Sequence, residues 1–109
     1  MNTTVNTFGD VAVVTVEGRI DTVNASEFER CMLDCMAKGH RDLVMDLSRL
    51  DYISSAGLRS VLAVAKKVKS VGGGIACCSL QGVVKKVFEI SGFTQVLPVY
   101  DSVEKALKQ

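Results

Sequence analysis

A chain of 109 residues with 48% apolar content has material for one compact core, and a single domain over residues 1–109 is expected. A formal charge of +1, with four Phe, two Tyr and no Trp, argues against nucleic acid or an anionic membrane surface as partners. No run approaches the roughly 20 apolar residues of a membrane helix, and residues 1–4 lack the charged and apolar regions of a signal peptide, so a cytoplasmic protein without direct membrane insertion is expected.

Residues 3–7 and 11–16 read as strands joined by Gly9 and Asp10, an antiparallel hairpin. Asn24, with Glu27 three residues on, reads as a capping box opening a helix that Gly39 ends. Phe28, Cys31, Met32, Cys35 and Met36 recur at helical spacing as its buried stripe. Residues 43–47 form the next strand, so this helix is a crossover that favours parallel pairing. After a short link, Ser54 and Ser55 open a second helix reaching about Ser70, with Leu58, Val61, Leu62, Ala65 and Val68 as its apolar stripe. Gly72, Gly73 and Gly74 terminate it and turn into a strand over 75–78. A third helix is expected over 81–91, stopped by Gly92, then a short strand over 96–99 held to an edge or bulge by Pro98. Ser102 opens a short C-terminal helix. Strands alternating with helices after an N-terminal hairpin define an α/β domain with a central, mostly parallel mixed sheet and about four helices.

The glycine run at 72–74 follows a helix and precedes a strand, the reverse of a phosphate-binding loop, and no Lys-Ser or Lys-Thr pair follows it. The four cysteines include no C-x-x-C, and neighbouring Cys77 and Cys78 point to opposite faces of a strand. They read as small buried apolar side chains, and no metal or cofactor is expected. Lys66, Lys67 and Lys69 read as a solvated face complementing a helix C-terminus. The only histidine, His40, sits at the start of a strand whose far end approaches the Ser54–Ser55 junction, and G-x-S-x-G is absent. A serine hydrolase is therefore not expected, nor an enzyme of another kind.

A serine at a helix start lies among backbone N–H groups without intrahelical partners, at the positive end of the helix dipole. That place suits a cap first of all, and it can also accommodate a phosphate group. The order Asp46-Leu47-Ser48, then Tyr52-Ile53-Ser54-Ser55-Ala56-Gly57-Leu58, then helix, resembles the STAS domain, and more narrowly the bacterial anti-sigma factor antagonists. Gly18-Arg19-Ile20-Asp21 and Ser91-Gly92-Phe93 extend the resemblance to about residues 5–107. In that family the phosphoacceptor is the serine two residues before the glycine, here Ser55. Many members carry Asp immediately before it, where this chain has Ser54, a secondary acceptor candidate.

The resemblance implies a partner-switching regulator. Unmodified, such a protein binds an anti-sigma factor that is also an ATP-dependent serine protein kinase. Phosphorylation releases it, and a serine phosphatase restores binding. Asp21, Ser54, Ala56, Gly57, Arg59 and Ser60 are the expected partner-binding residues, Arg59 and Ser60 because Leu58 starts the buried stripe and leaves them facing partly outward. Asp21 reads equally as a loop residue, and Asp46 as a carboxylate bonded to local backbone. The free protein is expected to be a monomer, since no coiled-coil repeat is visible. Two other readings share the fold: an unphosphorylated STAS subunit of a membrane lipid or anion transporter, and a domain binding a nucleotide at the second helix's N-terminus.

Overall fold

The run Val11 to Ile20, rich in β-branched residues, becomes the longest strand of the molecule, and the remaining strands assemble around it. The computed structural model describes residues 1–108; Gln109, the last residue of the expected domain, lies outside them. Strand β1 (Asn2–Phe8) pairs antiparallel with β2 (Val11–Ile20) in unbroken register from Asn2–Glu17 to Phe8–Val11. The hairpin reverses through Gly9, whose φ of +62° is a left-handed conformation that glycine adopts without strain.

Helix α1 (Ala25–Ala37) returns the chain to β3 (Asp42–Asp46), which pairs parallel with the first half of β2. Strand β4 (Leu50–Ile53) then pairs parallel with the second half of β2, after a register shift at Gly18 and Arg19. Helix α2 (Ser55–Ser70), strand β5 (Gly74–Cys78), helix α3 (Gly82–Ser91), a 3₁₀ turn (Phe93–Gln95), strand β6 (Val99–Tyr100) and helix α4 (Val103–Leu107) complete the chain. The sheet runs β1-β2-β3-β5-β6, with β4 attached to β2 beside that path. Among the described residues there are six strands and four α-helices, an α/β domain with a mixed sheet.

Alternation along the strands divides the core. Val14, Val16, Leu43, Met45, Ile75 and Cys77 join one cluster with Phe28, Met32, Val61, Val64, Val68 and Phe88 from the helices. Val13, Val44 and Cys78 turn the other way and meet Ala106 of α4. Cys77 and Cys78 therefore serve opposite faces, and burial pushes the Cys77 thiol up to about 12, with Cys78 beside it adding to the shift. Burial likewise raises Cys35 and Cys78, so these three thiols behave as apolar packing groups.

Four sequence expectations change. The link before α2 contains a strand, β4, which its sequence does not reveal because Asp51 and Tyr52 are both exposed between buried Leu50 and Ile53, with no clean alternation. The capping box is absent: Asn24 has no side-chain cap bond, since its Oδ1 accepts from the Asp21 N–H at 2.8 Å and its Nδ2 donates to the Arg19 carbonyl at 2.9 Å. The strand expected over 96–99 shifts to Val99–Tyr100, because a 3₁₀ turn occupies the residues after Gly92. It does lie at the sheet edge, as Pro98 demands. The α2 stripe is rotated: Gly57, Ser60, Val61, Val64, Ala65 and Val68 are buried, while Leu58 and Leu62 flank them half-buried.

Close packing at the α2–β5 turn makes one glycine indispensable. A Cβ on Gly73 would overlap the Arg41 carbonyl oxygen, which also accepts from the Gly74 N–H at 3.2 Å. Gly73→Ala is expected to destabilise the fold by on the order of 2 kcal/mol, read from the midpoint of urea unfolding.

Candidate functional site

The carboxyl end of β2 and the carboxyl end of β4 meet at Ile20 and Ile53, which are paired in register and both buried. The Ser54 N–H donates to the Ile20 carbonyl at 2.9 Å, continuing that ladder by one more bond. At Ser54 the chain is still extended (φ −89°, ψ 173°), and from Ser55 it is helical. Gly57 lets the helix start close to the sheet. A Cβ there would stand 2.7 Å from Ile53 Cγ1 and 2.9 Å from Ile20 Cγ2.

The two serines at this junction are not equivalent. Ser54 is the N-cap: its Oγ accepts from the Gly57 N–H at 3.1 Å, and its carbonyl accepts from the Leu58 N–H at 2.9 Å. Ser55, the first helical residue, is exposed, and its hydroxyl makes no side-chain hydrogen bond among the described residues. The first turn contains no acidic residue, and Lys67 and Lys69 occupy the last. A negative charge placed at Ser55 would therefore meet the favourable end of the helix dipole and no carboxylate on its own turn.

Beside the junction, the β2–α1 loop is held by its own polar groups. Asp21 Oδ1 accepts from the Val23 and Asn24 N–H groups at 3.0 and 3.2 Å, and Oδ2 lies 3.3 Å from Arg19 Nε. The Arg19 guanidinium stands over the Tyr52 ring, 4.8 Å from its centroid. Tyr52 is 40% exposed and Val23 is 91% exposed. These three residues, Arg19, Val23 and Tyr52, were not among the expected partner-binding residues. The β4 strand places Tyr52 opposite Arg19, a pairing that becomes visible only with the register shift in β2.

Of the expected partner-binding residues, Asp21 and Ser54 stand next to the ends of β2 and β4, with Ser54 committed as a cap. Ala56 is half-buried and Arg59 is exposed. Gly57 is buried against two isoleucines, and Ser60, expected to face partly outward, is only 7% exposed. Ser60 follows Gly57 by three residues and so shares its inward face. Asp46 accepts from the Ser48 N–H at 3.1 Å, the local backbone bond expected of it, and from the Thr15 hydroxyl at 3.4 Å. His40 precedes β3 and so lies at the opposite end of the parallel strands from Ser55. Among the described residues, no three His, Cys, Asp or Glu side chains gather to hold a metal ion, and no helix is long and apolar enough to cross a membrane.

The sequence profile of the STAS domain matches residues 2–106. This chain belongs to the STAS domain family. The candidate anti-sigma factor antagonist BtrV of Bordetella bronchiseptica is 42% identical over 106 residues, covering 97% of this chain and 91% of its own. The crystal structure of a candidate anti-sigma factor antagonist from Thermotoga maritima superposes with a TM-score of 0.91 at 22% identity, covering 97% of this chain and 92% of the other. That of an anti-sigma factor antagonist from Mycobacterium paratuberculosis gives 0.84 at 28% identity, covering 98% and 91%. In this STAS domain Ser54, Ser55, Ala56 and Gly57 are the N-cap and first turn of α2.

The unequal roles of the two serines can be measured. Ser54→Ala is expected to cost about 1 kcal/mol through loss of the cap, while Ser55→Ala stays within about 0.5 kcal/mol of the parent. Chemical unfolding of the two variants beside the parent checks this, and equal losses would contradict the division of labour.

Proposed function

We propose that this STAS domain is an anti-sigma factor antagonist of the partner-switching kind, with Ser55 as its phosphoacceptor. The observation that carries the reading is the uncommitted, exposed hydroxyl of Ser55 at the first position of α2, next to a serine that already performs the cap. The 42% identity to BtrV along nearly the whole chain supports the same reading.

In this reading the unmodified protein docks on an anti-sigma factor that is also a serine protein kinase, through Ser55, Ala56, Arg59 and the Asp21 loop. Arg19, Val23 and Tyr52 widen that surface with a cation, a bare apolar side chain and an aromatic ring, residue types suited to a protein contact. Phosphorylation adds about 1.5 to 2 negative charges and three acceptor oxygens. At the N-terminus of a 16-residue helix this is tolerated or mildly stabilising, by at most about 1 kcal/mol. The fold therefore survives the modification. The change lies in binding, where charge and bulk at a desolvated contact cost about 2 kcal/mol or more, roughly a thirtyfold loss of affinity. A serine phosphatase would reset the protein. Ser54, held by the Gly57 N–H, is the poorer acceptor of the two.

Ser55→Ala is expected to bind the cognate kinase constitutively and Ser55→Asp to bind it at least about tenfold more weakly. Titration calorimetry against that kinase, with phosphopeptide mapping after incubation with ATP, checks both points. Equal affinities, or phosphate found on Ser54 alone, would overturn the assignment.

A further inference from the structure

The two edges of the sheet are treated differently by the sequence. Edge β6 has only two residues, follows Pro98 and is packed by α4, so it offers little ladder to another chain. Edge β1 has seven residues, all exposed, in an unbroken register with β2. Its sequence Asn-Thr-Thr-Val-Asn-Thr-Phe contains no charge and no proline, and four of its residues are β-branched. Charges, prolines and bulges are the usual devices that stop an edge from pairing, and β1 carries none of them.

Beside this edge, α1 presents a self-complementary row of charge. The groove between β1 and α1, about 300 Å³, is lined on the strand side by Met1, Thr3 and Val5 and on the helix side by Glu27, Arg30, Asp34 and Lys38. All four charged residues are exposed, and their spacing would allow pairing within the helix. Yet the ion pairs among the described residues lie elsewhere. Under a two-fold axis passing between Met32 and Leu33, Glu27 of one copy faces Lys38 of another, and Arg30 comes within one residue of facing Asp34. The helix is anchored along the strand by Cys31 Sγ, 3.6 Å from Thr3 Oγ1. Helix rise and strand rise then bring the centre of the charge pattern to within about 2 Å of Thr4 along β1.

We infer that β1 is the docking surface for a second copy of this chain, paired antiparallel with its own counterpart about a two-fold axis near Thr4. The sheet continues from one copy into the next, Asn2 opposite Asn6 and Thr3 opposite Val5, with the two α1 helices side by side over the seam. Such an isologous contact closes on itself and makes a dimer, not a fibre. It is a small, polar interface, so association falls in the micromolar range and depends on salt. The monomer expected from the sequence rested on the absence of a coiled-coil repeat, and an edge strand leaves no such signature.

Sedimentation velocity of the full chain from micromolar to millimolar concentration tests this, independently of Ser55. The parent is expected to pass reversibly from monomer to dimer. Thr4→Lys places like charges face to face at the axis, while in the monomer the new side chain stands beside Glu17 and Asp46. It is expected to stay monomeric at every concentration with an unchanged circular dichroism spectrum. Lys38→Glu should raise the dissociation constant several-fold at low salt, and Glu27→Lys combined with Lys38→Glu should restore it, since the two-fold brings the reversed charges together again. Should Thr4→Lys fail to fold, the charge-reversal pair decides the matter. A parent that remains monomeric throughout, a dimer indifferent to Thr4→Lys, or a double variant no tighter than Lys38→Glu alone would overturn the proposal.

Discussion

The pairing of Ile20 with Ile53 holds the rest of the site in place. Strand β2 is long enough to serve β3 with its first half and β4 with its second, and the shift at Gly18 and Arg19 separates the two. Both isoleucines are buried, and both touch the space where a side chain on Gly57 would stand. Packing, the Ser54–Ile20 hydrogen bond and the glycine thus act together on one point of the backbone. That point is the start of α2, so its position relative to the Asp21 loop follows from core packing and not from any contact made by Ser55.

This arrangement separates stability from the switching proposed for Ser55. The cap, the ladder bond and the buried glycine belong to Ser54 and Gly57, and the first position of the helix is left without a structural duty. A residue in that condition can be altered with little effect on folding, which is what a reversible modification requires. The neighbouring Arg19, Asp21 and Tyr52 form a chain of contacts on the surface, an ion pair followed by a cation over an aromatic ring. With side chains this exposed, such contacts contribute little to stability. Their value lies in orienting a loop beside the helix start. The same economy is visible at the sheet edges, where the short β6 is shielded by proline and helix and the longer β1 is left open.

Much of the architecture was legible because it is local. The β-branched run of β2, the helical spacing of Phe28, Met32 and Cys35, the glycines at 72–74 and the αL stop at Gly92 each act within a few residues. Strand β4 was not legible. Its exposure pattern lacks alternation, since Asp51 and Tyr52 both face outward, and it is defined by pairing with residues about thirty positions earlier. Asn24 has the composition of a cap and makes another set of bonds, because the Asp21 loop competes for its amide. Ser60 looked outward while the stripe was traced from Leu58 through Val61, Leu62, Ala65 and Val68, and the face is in fact anchored by Gly57, a residue without a side chain to count.

The residues alone therefore determined the family, the α/β class, the order of the elements apart from β4, and a pair of serines at a helix start. They did so because propensity, capping and periodicity are properties of neighbours in the chain. Which face of α2 is buried, which of two adjacent serines is consumed as a cap, and that Arg19 and Tyr52 share the surface with Asp21 were settled by the folded molecule. Each depends on a contact between segments distant in sequence, and the free energy of such a contact exists only once the sheet has brought them together.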